Sequence, residues 1–174
     1  WTVSVENLMK RLKKENDAFW NANDRRAKAD KLGLTIPEVI TLASIVEEET
    51  NYQPEKSRVA GLYLNRLRKG IRLQSDPTVK FAMKDFKLNR ILYEHLKIDD
   101  PYNTYVYAGL PPGPIRLPSV ATIDAVLNAE KHNYIFMCAH PDFNGTHNFA
   151  VTLAEHNRNA AKYHVALRKW LAEK

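Results

Sequence analysis

Residues 34–54, LTIPEVITLASIVEEETNYQP, hold the feature that most restricts how this chain folds: an apolar helix with its own start signal and the wrong charge at its end. Thr35 followed three residues later by Glu38 is a capping box, and Pro37 falls in the first turn, where a missing N–H costs nothing. On a helical wheel at about 100° per residue, the polar positions before the acidic run, Glu38, Thr41 and Ser44, share one narrow arc. Every other position from Ile36 to Val46 is apolar, so the spacing predicts a buried helix.

This helix ends in Glu47, Glu48 and Glu49, although the negative end of a helix macrodipole favours cations. Glu48 shares the polar arc with Thr41 and is expected to be solvated. Glu47 lines up with Ile36, Ile40 and Ala43, and Glu49 lies beside Leu42 and Ile45, so neither has an evident route to water. Apolar walls, like charges and the dipole all disfavour the ionised carboxyl, which raises its pKa toward that of a general acid. One of the two is the candidate acid. The other reading of the run is structural ion pairing, with Arg58, Asn65, Arg66 and Arg68 as candidate partners for Glu47 or Glu48.

With 174 residues, 44% hydrophobic and 26% charged, the chain has apolar content for one core. No stretch approaches the roughly 20 apolar residues of a membrane span, and residue 1 onward lacks a signal-peptide layout. Cys138 stands alone among Tyr134, Ile135, Phe136 and Met137 and reads as a strand thiol, not a nucleophile. The net charge of +6 suits an acidic partner, but the basic residues are scattered over several helices without interleaved aromatics, which argues against nucleic acid. Six histidines occur without zinc-type spacing or HExxH, and no metal is expected. No Gly-rich phosphate loop or GxSxG elbow occurs, which leaves nucleotide chemistry and serine hydrolysis with little support.

The rest of the chain reads as helix, loop and one hairpin. Residues 4–31 form an amphipathic helix capped by Ser4, carrying Leu8, Met9, Leu12, Phe19 and Trp20, broken near Asn21 to Asp24 and closed by Gly33. A helix runs from Glu55 to Lys69 and stops at Gly70, and Asp76 caps another that begins at Pro77. A short helix is predicted over 89–97, then a turn at Asp99-Asp100-Pro101 and a stiff loop over 109–115. Ser119 opens a helix to about Lys131. Asn133 to Ala139 and Thr146 to Val151 pair across the Asn144-Gly145 turn. Thr152 and Glu155 form a second capping box, whose helix packs on the core through Leu153, Tyr163, Leu167 and Trp170. His147, Glu155, His156 and Asn157 are expected to form a polar cluster that ties the hairpin to this helix.

Glu49-Thr50-Asn51-Tyr52-Gln53-Pro54 resembles the Glu-Ser-x-aromatic-x-Pro signature of lysozyme-like lytic transglycosylases, with Thr50 in place of the usual Ser. ASIVEEET at 43–50, NRLRKGIRLQSDPTV at 65–79, YNTY at 102–105, GLPPGPI at 109–115 and HNFAVTLAEHN at 147–157 are similar, in order, to the endolytic murein transglycosylase family of the MltG or YceG type. The likeness implies an α+β fold: a helix-rich, lysozyme-like catalytic domain at 35–174 with a small β-hairpin and a long C-terminal helix. Residues 1–34 would then be an N-terminal helical segment or the end of a linker or accessory module. The family pattern also implies an inner-membrane anchor ahead of this region and action on the periplasmic, extracytoplasmic side.

The resemblance makes Glu49 the catalytic residue, a choice the wheel leaves open against Glu47. It places Gln74, Ser75 and Asp76 beside the sugar groove, where amide and hydroxyl groups suit sugar hydroxyls and acetamido groups. Tyr102, Asn103 and Tyr105 put two rings around one amide, a composition for stacking on a sugar while hydrogen-bonding it. Gln74 and Asn103 are the expected donors to the acetamido group. The implied reaction cleaves the MurNAc–GlcNAc bond of peptidoglycan strands to 1,6-anhydro-MurNAc ends, with one Glu as acid and base and no cofactor. Cell-wall synthases are implied partners. A two-carboxylate muramidase using Asp76 and a non-catalytic glycan-binding module are the competing readings.

Overall fold

The computed structural model describes residues 3–88 and 91–173. Its helices are α1 (Val5–Asn21), α2 (Arg25–Leu32), α3 (Ile36–Glu49), α4 (Lys56–Arg68), α5 (Asp76–Met83), α6 (Val120–Leu127) and α7 (Leu153–Ala172). Two strands, β1 (Phe136–Ala139) and β2 (His147–Ala150), make an antiparallel hairpin in which Phe136 faces Ala150 and Ala139 faces His147. The class is α+β, as expected.

Helix α3 is the central post. Its capping box is complete, since Thr35 N donates to Glu38 Oε2 at 2.7 Å and Glu38 N to Thr35 Oγ1 at 3.4 Å. Val39, Leu42, Ala43, Ile45 and Val46 are fully buried against Val59, Leu62 and Tyr63 of α4 and Val126 of α6. The polar arc of α3 is exposed at its ends, at Glu38 and Glu48, but not between them. Thr41 and Ser44 are buried, and Ser44 Oγ donates to Thr41 O and accepts Ile115 N at 3.0 Å, which pins the proline-rich loop to the helix.

The break after α1 occurs where expected, with Asn23 and Asp24 both at positive φ, and Gly33 closes α2 in the left-handed region. Trp20 and Ala29 enter the same core as α3, and Arg25 makes a two-pronged ion pair with Asp124 of α6 at 2.8 and 2.9 Å. The first half of α1 does not dock. Leu8, Met9 and Leu12 are exposed.

Several sequence expectations are corrected. The predicted helix over 89–97 is reduced to a 3₁₀ turn at His95–Lys97; positions 89 and 90 lie outside the described residues. Helix α6 stops at Leu127, not near Lys131, because the chain then crosses to α4, where Glu130 N donates to Ser57 O at 3.0 Å. Gly61 permits this crossing, since a Cβ there would stand 2.4 Å from Glu130 O. β1 starts at Phe136 and not at Asn133, because the Asn65 amide takes the carbonyls of His132 and Tyr134 at 2.7 and 3.1 Å. Helix α7 contributes no buried residue; it covers the hairpin, with Tyr163 and Trp170 against Phe143, instead of reaching the core. Half of its expected capping box forms: Glu155 N donates to Thr152 Oγ1 at 3.2 Å, while the Glu155 carboxylate accepts Val151 N at 3.1 Å in place of Thr152 N.

Among the described residues, no helix is long and apolar enough to cross a membrane.

Candidate active site

The three acids that end α3 face three environments. Glu48 is exposed and paired with Arg116. Glu47 is turned toward α6, where Lys56 Nζ reaches Oε1 at 2.9 Å while Ser119 N and Oγ donate to Oε2 at 3.1 and 2.9 Å. Burial pushes this carboxyl up, but the hydrogen bonds of Thr122, Lys56 and Ser119 overcome it and hold it at about 2. Glu47 is thus an ionised strut at the N-terminus of α6, where the helix dipole favours a negative charge. The arginines of α4 expected as partners go elsewhere: Arg58 pairs with Glu130, and Arg66 bonds carbonyl oxygens.

Glu49 has no cationic partner among the described residues. Tyr63 Oη and Ser75 Oγ both donate to its Oε2 at 2.9 Å. Burial raises its pKa; the bonds from Tyr63 and Ser75 and the charge of His147 act in the opposite direction without cancelling it. Burial likewise raises the Tyr63 phenol, with the Glu49 charge adding to the effect, so this hydroxyl remains a donor. Thr50, next in sequence, is buried and accepts Tyr52 N at 3.1 Å, which turns the chain away from the helix end.

Glu49 opens on a cavity of about 270 Å³ whose walls include Tyr63, Arg66, Gln74, Asp76, Tyr105, Phe136, Met137 and His156. The segment before α5 is bound to Thr104: Gln74 N donates to Thr104 O at 3.1 Å, and Ser75 N to Thr104 Oγ1 at 3.0 Å. Gln74 sits at φ +53°, a left-handed conformation that costs a non-glycine residue about 1 kcal/mol or more. Asp76 is the first residue of α5 and does not cap it; its Oδ1 accepts the Tyr105 hydroxyl at 2.7 Å instead. Burial and this bond raise the Tyr105 pKa.

Of the residues singled out in the sequence, the fold brings Glu49, Gln74, Asp76 and Tyr105 around one cavity, with Ser75 bonded behind Glu49. Tyr102 and Asn103 do not line it. Asn103 is fully buried, and its Nδ2 donates to Leu96 O and Ile98 O at 3.1 and 2.8 Å while its Oδ1 accepts Tyr105 N. Asn103 therefore folds the loop that presents Tyr105, and Tyr102 packs on Phe81 with ring centroids 4.6 Å apart.

Tyr63 and Arg66 are members of the cavity that sequence reasoning did not place there; His156 joins it from the 147–157 block, which the family resemblance sets close to the site. Tyr63 and Arg66 are three apart on α4 and so share a face, the signal that was available. The expected cluster around His147 is different too: His147 pairs with buried Glu55, Nδ1 to Oε2 at 2.7 Å, while His156 stacks on Phe136 in the cavity wall. Burial and the Arg66 charge lower the His156 pKa and favour its neutral form.

A larger hollow of about 850 Å³ lies on the opposite side of α4, lined by Lys28, Lys31, Arg68, Lys131 and Glu130. Its one carboxylate, Glu130, is half-exposed and paired with Arg58 at 3.0 Å, so it offers no general acid.

Glu49 is thus a part-buried carboxyl at the end of a buried helix, held by two hydroxyls and lining a polar cavity. Residues 1–162 match the YceG-like family model, and the chain belongs to that family. It is 36% identical over 161 residues to the endolytic murein transglycosylase of Bacillus subtilis, covering 92% of this chain and 43% of that protein. The endolytic murein transglycosylase of Streptococcus pneumoniae is 33% identical over 134 residues, covering 75% of this chain and 24% of that protein. The chain thus spans less than half the length of these relatives. A crystal structure of a yceG-like protein from Listeria monocytogenes superposes with a TM-score of 0.75 at 35% identity, covering 90% of this chain and 50% of the other.

Proposed function

We propose that this chain carries the catalytic centre of an endolytic peptidoglycan transglycosylase acting outside the cytoplasm, with Glu49 as its single acid and base. The observation that carries the reading is the hydrogen bonding of Glu49: both donors hold Oε2, which leaves Oε1 for the cavity. Burial shifts the pKa of this carboxyl upward, the direction a general acid needs. The curated relatives, named for murein cleavage, support the substrate class.

In this reading Glu49 Oε1–H protonates the oxygen between MurNAc and GlcNAc. The C1–O bond breaks as an oxocarbenium-like centre forms. The MurNAc C6 hydroxyl closes on C1 and gives its proton to the Glu49 carboxylate, which restores the acid and leaves a 1,6-anhydro end. One carboxyl suffices because the sugar supplies its own nucleophile, unlike the paired carboxylates of ordinary glycosidases. Asp76 and Tyr105, joined at 2.7 Å, form a wall that accepts sugar hydroxyls. Residues 35–174 carry the chemistry, and α1 and α2 brace them through Arg25 and Trp20.

The test is mass spectrometry of purified peptidoglycan after incubation with the chain, with Glu49→Gln and with Glu47→Gln. Internal fragments with anhydro ends, reduced by about a hundredfold or more in Glu49→Gln and retained in Glu47→Gln, are expected. Water-added products would replace this mechanism by a two-carboxylate one involving Asp76, and no cleavage by the unsubstituted chain would leave a binding module.

A further inference from the structure

We propose that Gln74 reads the 2-acetamido carbonyl of the bound sugar through its side-chain N–H pair, and that Arg66 is the positioning residue that presents this end of the amide. The proposal rests on the glycan-cleaving reading above and specifies how the site selects its sugar.

A glutamine amide offers an acceptor at Oε1 and two donors at Nε2, so its meaning in a site depends on which end is already taken. Here Oε1 accepts a bond from the Arg66 guanidinium. Arg66 cannot swing away. It is 6% exposed, its Nε donates to Arg72 O at 2.8 Å, and its Nη1 donates to Ile135 O at 2.6 Å. Because Arg66 has no carboxylate partner among the described residues, its charge is met by neutral oxygens, and the bond to Oε1 is charge-assisted. A flipped amide would set N–H against N–H. The Nε2 end is therefore the one left for the cavity.

The backbone points the same way. Gln74 stands at φ +53° between residues fastened to Thr104 and Arg66, an unfavourable conformation retained at an exposed side chain that lines the cavity of Glu49. Its neighbours there have other assignments: Asp76 is an acceptor, the Tyr105 hydroxyl is spent on Asp76, and Glu49 carries the reacting proton. A neutral N–H pair seeks a carbonyl. The C2 acetamido group is the carbonyl common to both sugars of the strand.

The experiment measures binding of chitohexaose and cellohexaose, neutral β-1,4 oligomers that differ only at C2, to the non-cleaving Glu49→Gln chain by isothermal titration. Chitohexaose is expected to bind more tightly than cellohexaose. Adding Gln74→Ala should weaken chitohexaose about fivefold to tenfold and leave cellohexaose unchanged. Arg66→Lys, which keeps the charge and loses the planar fork, should reduce the same preference, with thermal unfolding verifying that the variant is folded. Equal weakening of both oligomers by Gln74→Ala, or no effect on either, overturns the Gln74 assignment. An intact preference in folded Arg66→Lys overturns the positioning role. Peptidoglycan cleavage by the unsubstituted chain is scored separately: its absence with the preference intact overturns the transglycosylase reading alone, and its presence without the preference overturns the Gln74 assignment alone.

Discussion

Tyr63 of α4 donates its hydroxyl to Oε2 of Glu49, the last residue of α3, at 2.9 Å, and both groups have pKa values raised chiefly by burial. The bond stabilises the carboxylate more than the carboxylic acid, so it acts as a brake on a proton affinity that burial sets high. Ser75 acts in the same direction from the segment before α5.

Removing that brake has a signed consequence. In Tyr63→Phe the Glu49 pKa rises further, so the acid stays protonated to higher pH and the alkaline limb of kcat/KM for peptidoglycan cleavage moves up. Ser75→Ala shifts it the same way. A pH–rate profile of both variants beside the parent checks the direction, and a limb moving down contradicts it.

Glu49 also makes stability depend on pH. Because its folded pKa is above the ordinary carboxylate value, the folded state holds a proton that the unfolded chain releases, and stability falls as pH rises through that interval. Glu49→Gln, which is neutral throughout, is expected to melt above the parent at neutral pH and to match it below about pH 4. Melting curves across pH read this directly.

Glu47 has the opposite sign. Its carboxyl, depressed from 4.5 to about 2, contributes stability that is fully present above the ordinary carboxylate range and lost as pH falls toward 2. Glu47→Gln leaves the charge of Lys56, which is 4% exposed, with the neutral Thr122 hydroxyl but without its carboxylate partner and should cost about 2 to 4 kcal/mol in urea unfolding at neutral pH. Cleavage by the folded fraction is expected to stay within about threefold of the parent, since Glu47 lines no part of the cavity.

Gly61→Ala tests the crossing that ends α6. The new methyl would lie 2.4 Å from Glu130 O and 2.7 Å from His132 Nε2, and the backbone oxygen cannot yield without loss of the Glu130 N to Ser57 O bond. A loss of about 2 to 3 kcal/mol is expected. An unchanged melting temperature would show that the 129–133 segment is free to move.

Local signals in the chain located most helix ends correctly. Thr35 with Glu38, Gly33, Gly70 and the break at Asn23–Asp24 are each settled by groups within a few residues of one another, which is why composition and spacing disclose them. Where an end depends on a remote element, as at Leu127 or Phe136, the same signals overshot; the carbonyls and amides there are claimed by Ser57 and Asn65 of the neighbouring α4 region.

The acids show the division most sharply. Helical spacing turns both Glu47 and Glu49 away from water, and nothing in their own stretch separates them. Their partners do. Glu47 meets Lys56, nine residues on, and Ser119, 72 residues on, whereas Glu49 is hydrogen-bonded by the hydroxyls of Tyr63 and Ser75, 14 and 26 residues away. Asn103 and Gln74, equally plausible as sugar ligands by residue type, part in the same manner: one amide is consumed by the carbonyls of Leu96 and Ile98, the other is held at one end by Arg66 with the cavity beside it. Periodicity states which side chains leave water. The donors and charges they meet come from elements distant in sequence, and those set the proton affinity of a buried carboxyl.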